Sequence, residues 1–158
     1  MHATYTNVQP HALTSAQLEA ALAIEERCSP HPWTRGNFEG SLAAGHWAQG
    51  LSCGSELLGY CIAMPAADEA HLLNIAVAPE HQKNGLAQRM VRALLDWARG
   101  RGARDVWLEV RAGNDAAQRL YLRQGFASAG RRPGYYPCPD GGREDALLMR
   151  LQLQGADA

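Results

Sequence analysis

Excess charge of either sign is lacking in this chain. Its 15 Lys and Arg residues stand against 16 Asp and Glu, for a formal net charge of -1, and the basic residues are spread along the sequence. Such a chain has no basic field of the kind that holds nucleic acid, so no direct nucleic-acid partner is implied. Long apolar runs are missing too. The first fifteen residues, MHATYTNVQPHALTS, lack the apolar core of a signal peptide, and the longest mostly apolar run, LLGYCIAMPAA, is too short to span a bilayer. A cytoplasmic protein with no membrane partner is therefore expected. Cys28, Cys53, Cys61 and Cys138 form no C-x-x-C pair, and the six histidines show no H-x-x-x-H spacing. No metal site is expected, and the thiols read as free. Internal repeats and low-complexity segments are also absent, and only QGADA at the end reads as a loose tail. At 158 residues and 46% hydrophobic, the chain suits one domain over 1–158 with a core of about 8–153.

Periodicity and capping signals supply the elements. Thr14 and Gln17 form a T-x-x-Q capping box flanked by Leu13 and Leu18, which predicts a helix from about Ser15 to Arg27. HPWTRGNF repeats the device: Thr34 can cap, and Trp33 can pack on Phe38. From Trp47 to Met64, short apolar segments interrupted by CGSE predict a hairpin, and HLLNIAV predicts a strand that Pro79 ends. Beyond Gly85, Leu86, Met90, Leu94 and Ala98 recur at spacing four with Val91 and Leu95 beside them, while Arg89, Arg92, Asp96 and Arg99 face away. RDVWLEV predicts a strand with Val106, Leu108 and Val110 on one face and Trp107 and Glu109 on the other. Asn114 or Asp115 can cap a helix through Leu122, with Gly125 placed to end it. EDALLMRLQL closes the chain as a strand with Leu147, Met149, Leu151 and Leu153 on its apolar side. Strand, helix, strand, helix, strand in succession implies a mixed α/β architecture.

The turn QKNGLA, Gln82 to Ala87, sits where a strand hands over to a helix. Backbone N–H groups there lack intrahelical partners and, reinforced by the helix dipole, can bind an anion. A glycine at 85 and a small residue at 87 would let a phosphate approach the main chain. The turn is neither the Walker lysine motif nor the dinucleotide G-x-G-x-x-G. Taken alone, it is equally compatible with an ordinary helix start.

In context the chain resembles the GNAT superfamily of acetyl-CoA-dependent N-acetyltransferases. Their signature is a strand, a Q/R-x-x-G-x-G/A turn that cradles the coenzyme A pyrophosphate, and a helix. Gln82, Gly85 and Ala87 match that turn. Within the superfamily, PWTRGNF, NIAVAPEHQKNGLA, WLEVRAGNDAAQRLYLRQGF and GYYPCPDGGREDALLM, in order, resemble the ribosomal-protein-alanine N-acetyltransferases over nearly the whole span from Thr14 to Leu151. The resemblance implies a GNAT (acyl-CoA N-acyltransferase) fold, α/β, with a mixed, mostly antiparallel central sheet flanked by helices. It implies acetyl-CoA as cosubstrate and, as acceptor, a protein N-terminus, that of the eighteenth small-subunit ribosomal protein.

It also implies roles for particular residues. The backbone of Ile75, Ala76 and Val77 would pair with the pantetheine amides as an added strand does. Lys83, Asn84, Gly85, Leu86, Ala87 and Gln88 would hold the pyrophosphate, with Gln88 standing where relatives often carry arginine, and Asn114 would face the cofactor. Glu109 would act as base, through water, and Tyr121 as the acid that protonates the departing thiolate. A protein α-amine titrates about 2.5 units below lysine, so deprotonating lysine demands roughly 3.4 kcal/mol more at the same pH. A mildly placed carboxylate can serve the former. A phenol, ordinarily titrating near 10, is protonated at neutral pH and can donate. The residues alone leave other readings open: Glu109 as a surface or ion-paired carboxylate, Tyr121 as a core aromatic, Asn114 as a helix cap. Trp33, Tyr135 and Tyr136 could line a peptide groove or simply pack. CPDGGRED reads as a hairpin turn one residue longer than is typical of relatives. A lysine or small-molecule amine remains an alternative acceptor, and a non-catalytic coenzyme A-binding module an alternative role.

Overall fold

Among the described residues, eleven helices and strands, joined by two short 3-10 turns, follow one another in the order the periodicities require, with two strands that they do not announce. The computed structural model describes residues 5–153, and the tail at 154–158 lies outside them. The elements are β1 (Pro10–Ala12), a 3-10 turn at Ser15–Gln17, α1 (Leu18–Cys28), α2 (Arg35–Ala43), β2 (Trp47–Cys53), β3 (Glu56–Ala66), β4 (Glu69–Val77) and a 3-10 turn at Pro79–His81. Then come α3 (Leu86–Gly100), β5 (Asp105–Arg111), α4 (Asp115–Gln124), β6 (Ala127–Pro137) and β7 (Arg143–Gln152). The strands hydrogen-bond as one mixed seven-stranded sheet in the order β1-β2-β3-β4-β5-β7-β6. The chain groups into two units, residues 1–62 with 74–93 and residues 63–73 with 94–158.

In the first unit the predicted caps stand at the helix starts, although the stretch expected to be helical from about Ser15 opens with the 3-10 turn and becomes α-helix only at Leu18. Thr14 N–H donates to Gln17 Oε1 at 3.1 Å. Asn37 N–H donates to Thr34 Oγ1 at 3.1 Å, Thr34 N–H donates back to Asn37 Oδ1 at 2.9 Å, and Trp33 packs edge-on against Phe38 with centroids 5.1 Å apart. The core gathers Leu18, Ile24, Phe38, Leu57, Tyr60 and Ile62. One carboxylate is enclosed in it. Glu25 is 4% exposed, yet it accepts the Tyr60 hydroxyl at 2.6 Å and the Trp33 N–H at 2.8 Å, so its buried charge is hydrogen-bonded rather than orphaned. At Gly59 β3 comes so near β4 that a Cβ would stand 2.6 Å from the Ala76 carbonyl oxygen. Glycine is required there by space.

The face of α3 matches its spacing: Leu86, Met90, Val91, Leu94, Leu95 and Ala98 are all buried. Arg89 departs from the expectation that it faces away. Its guanidinium reaches the carbonyls of Tyr5 and Val8, the latter at 3.1 Å, and caps that segment.

In the second unit β4 and β5 pair in parallel from Glu69↔Asp105 to Leu72↔Leu108, β5 pairs antiparallel with β7, and β6 pairs antiparallel with β7. Val106, Leu108 and Val110 are buried, while Trp107 and Glu109 are half-buried. Met149, Leu151 and Leu153 are buried as expected, whereas Leu147 is only half-buried. Gly125 closes α4 in the left-handed region at φ 105°. β6 went unannounced because it is exposed along most of its length and carries no alternation for burial to impose. Its register against β7 shifts twice, between Ser128 and Gly130 and between Arg132 and Tyr136. The short β1 gave no periodic signal either. Among the described residues no helix is long and apolar enough to cross a membrane.

Burial pushes the Cys61 thiol up, and burial reinforced by Glu25 pushes the Tyr60 phenol up. Groups held protonated in the folded chain contribute stability that is complete below their unfolded values and is lost as pH rises past them. Stability should therefore fall from about pH 8.5, where an exposed thiol ionises, and by about pH 9.5 Cys61 alone should account for about 1.4 kcal/mol of the loss. Scanning calorimetry at neutral and alkaline pH checks this. Cys61→Ala should lose less stability between the two conditions than the parent, and an equal loss would contradict the linkage.

Candidate functional site

β4 ends at Val77, and the turn after it is built by three side chains. Arg27, in the last turn of α1, stands with Nη2 2.6 Å from Glu80 Oε2, and this contact holds the Glu80 carboxyl down at about 2. Gln82 folds back so that its Nε2 donates to the Val77 carbonyl at 2.9 Å. Asn84 Nδ2 donates to the carbonyls of His81 and Gln82 at 3.1 and 3.0 Å. Between and beside them, Lys83 and Gly85 adopt φ of 66° and 77°. A left-handed backbone costs a side-chain-bearing residue about 1 kcal/mol or more, so Lys83 is held there by its neighbours, whereas Gly85 takes it freely.

The consequence is the direction of the main chain. Arg89 N–H makes an intrahelical bond to the Gly85 carbonyl at 3.1 Å, and the N–H groups of Leu86, Ala87 and Gln88 precede any intrahelical acceptor. Residues 82 to 85 are exposed, Leu86 is buried, and Ala87 and Gln88 are half-buried. Leu86 thus offers a ligand only its backbone. A Cβ at Gly85 would meet no heavy atom within 4 Å, so the approach to the turn is open. Upstream, Ile75 and Ala76 are half-buried and Val77 is buried. They lie on β4 beyond Leu72, where its pairing with β5 ends.

In the second unit, Glu109 is one residue past that same point on β5. Its Oε1 lies 3.2 Å from Arg132 Nε. The same carboxylate is the main cause holding the Tyr135 phenol above its ordinary value. Burial, with Glu109 second, pushes the Tyr136 phenol up to about 12. Arg111 lies 4.5 Å over the Tyr136 ring and donates to Glu144 Oε1 at 3.1 Å, while Glu144 Oε2 accepts the Gly113 N–H at 2.7 Å. The β5–α4 connection is thereby tied to β7. Asn114 Oδ1 accepts the Ala117 N–H at 3.2 Å, so this side chain caps α4 and only its NH2 end is left for a ligand. Tyr121 is 5% exposed and sits edge-on to Phe126, with centroids 5.7 Å apart.

The structure thus brings Glu109, Tyr135 and Tyr136 together. Trp33, by contrast, lies in the first unit, with its ring on Phe38 and its N–H on Glu25. Cys138 to Gly142 form the β6–β7 turn, with Cys138 N–H donating to the Gly142 carbonyl at 2.9 Å, and three residues, 133 to 135, bulge against one on β7. Arg132 carried no motif in the sequence, and it meets Glu109, as Arg111 meets Glu144, only through strand pairing. Glu56, Glu80 and His81 also converge, one ligand atom of each lying within 4.8 Å of the others. Both His81 nitrogens are already engaged there, Nδ1 with the Tyr5 hydroxyl and Nε2 with Glu56.

The profile of the acetyltransferase (GNAT) family matches residues 14–126. The chain is 38% identical over 142 residues to the ribosomal protein bS18-alanine N-acetyltransferase of Escherichia coli strain K12, covering 90% of this chain and 95% of that one. The crystal structure of the ribosomal-protein-S18-alanine N-acetyltransferase from Escherichia coli superposes with a TM-score of 0.86 at 36% identity, over 96% of this chain and 98% of that one. Arabidopsis thaliana NAA60, crystallised with acetyl-CoA, shares the fold at a TM-score of 0.85 and 20% identity, over 94% of this chain and 100% of its own. By profile, sequence and fold together, the chain belongs to the acetyltransferase (GNAT) family and is an N-acetyltransferase.

Proposed function

We propose that the protein transfers the acetyl group of acetyl-CoA to the N-terminal α-amine of a protein, and that its acceptor is the N-terminal alanine of ribosomal protein bS18. It acts in the cytoplasm as one catalytic domain with a core of about residues 8–153. The observation that carries the cosubstrate is the exposed turn at Lys83–Gly85, with left-handed φ at both residues and helix-start amides behind it. The acceptor is supported by the likeness to the Escherichia coli enzyme over 90% of the chain.

Each residue then has a physical task. The N–H groups of Gly85, Leu86, Ala87 and Gln88 bind the diphosphate, with Lys83 and Asn84 completing the turn. Main-chain groups of Ile75, Ala76 and Val77 hold the pantetheine arm as a strand holds its neighbour, and the Asn114 NH2 faces the cofactor. Glu109 takes a proton from the acceptor ammonium, directly or through water. The neutral nitrogen attacks the thioester carbonyl carbon, a backbone N–H near Val77 steadies the oxyanion, and Tyr121 protonates the sulfur as the C–S bond breaks. One N–C bond forms and one C–S bond breaks; of the two protons that nitrogen loses in passing from ammonium to amide, Glu109 takes the first and passes it to solvent, and the second, shed as the tetrahedral intermediate collapses, makes good the proton that Tyr121 gives to sulfur. Tyr135 and Tyr136, phenols that are neutral at working pH, present uncharged hydroxyls to the acceptor peptide.

Two measurements test this. With a short peptide beginning Ala-Arg-Tyr, release of the coenzyme A thiol should be saturable, and the N-acetylated form of the same peptide should give none. Equal release from both would remove the α-amine assignment. Tyr121→Phe should lower kcat about a hundredfold while acetyl-CoA affinity, read by calorimetry, stays within about twofold. A parent-like kcat would end the role of Tyr121 as acid.

A further inference from the structure

The Glu109 carboxylate is not solitary, and the way β6 supplies its partner has a purpose that stability does not explain. Strand pairing sets two rows across the second unit: Glu109, Leu148 and Gly130 in one, Arg111, Ala146 and Arg132 in the next. Residues in neighbouring rows of one sheet face are within reach of a long side chain. Gly130, level with Glu109, has no side chain to intervene. Of the two arginines in the second row, Arg111 is committed to Glu144 and to the ring of Tyr136. Arg131 pairs with Asp145. Arg132 is the arginine placed on Glu109, with its guanidinium carbon 5.5 Å from the centre of the Tyr135 ring.

Immediately after Arg132 the strand leaves register, and the excursion is fastened on both sides. Gly134 N–H donates to Asp145 Oδ1 at 2.8 Å, Arg143 Nε donates to the Gly134 carbonyl at 2.6 Å, and Arg143 Nη2 donates to the Tyr135 carbonyl at 3.1 Å. Gly134 has φ 56°, a value suited to glycine in a bulge. The result is that Arg132, before the bulge, lies against the Glu109 carboxylate, with the Tyr135 ring, at the end of the bulge, beside its guanidinium. An ion pair whose arginine is half exposed adds little to folding stability. Orientation is what a cation fixed beside one carboxylate oxygen supplies.

We propose that Arg132 is the positioning residue for the Glu109 base, holding one carboxylate oxygen so that the other is aimed at the acceptor amine, with the fastened bulge setting its place. This rests on the reading of Glu109 as the base. Arg132 acts through Glu109 and touches neither substrate, so its effect exists only while Glu109 can take a proton.

A double-mutant cycle reads that dependence. At saturating acetyl-CoA with an alanine-starting peptide, Arg132→Gln should lower kcat about tenfold, with KM for acetyl-CoA within about twofold of the parent. Arg132→Lys, which keeps a cation within reach, should recover most of the rate. In a Glu109→Gln background, Arg132→Gln should cause no further loss. An equal loss in both backgrounds, a parent-like kcat for Arg132→Gln, or an Arg132→Lys as slow as Arg132→Gln would each overturn the proposal. A parent-like rate for Glu109→Gln by itself would instead remove the base reading, and the positioning role with it.

Discussion

A reversal of the main chain over three residues sets how β4 hands over to α3. β4 must stop at Val77 and α3 must start at Leu86, and between them the backbone has to reverse within a few residues. Left-handed φ at Lys83 and Gly85 achieves the turn. The carboxamides of Gln82 and Asn84 satisfy the carbonyls that the reversal strands, as buried or crowded polar groups require. The apolar stripe of α3, buried from Leu86 through Ala98, then fixes the direction in which those first amides point. Loop and helix are one device: without the buried stripe the helix start could swivel, and without the left-handed pair it could not be reached.

A different economy operates around Glu109. Three carboxylates on β5 and β7 each have their own arginine, Glu109 with Arg132, Glu144 with Arg111 and Asp145 with Arg131. The same β7 residues also fasten backbone elsewhere, Glu144 the Gly113 N–H and Asp145 the Gly134 N–H. Arg-Glu-Asp at 143 to 145 therefore acts as a bracket for both the β5–α4 connection and the bulge before Tyr135. Edge strands invite pairing with other chains. Here the edge strand β6 carries Pro133, a bulge and two exposed arginines, features that discourage it.

Most elements were legible because burial imposes a period. α3, β5 and the caps at Thr14, Thr34 and Asn114 follow from spacing and side-chain chemistry alone, and the structure places each of them where that chemistry requires. β6 was illegible for the complementary reason, since an exposed strand has no face that must be apolar. The N–H groups of residues 86 to 88 could be located from the sequence because a helix start always leaves donors unpaired. Arg132 could not, because its contact with Glu109 depends on two strand registers and a bulge, none of which leaves a local mark. Arg89 showed the limit of a helical wheel: its place on the polar face was right in angle, yet the side chain found the carbonyls of Tyr5 and Val8 rather than water. Asn114 kept its cap, so any contact with a cofactor must come from its NH2 alone.

The central claim is that the turn before α3 grips a diphosphate. Titration calorimetry with acetyl-CoA and with acetyl-pantetheine, which has the same thioester arm and no diphosphate, tests it most directly. The account predicts saturable binding of acetyl-CoA and binding of acetyl-pantetheine at least about a hundredfold weaker, roughly 2.7 kcal/mol. Equal affinity for the two would contradict it.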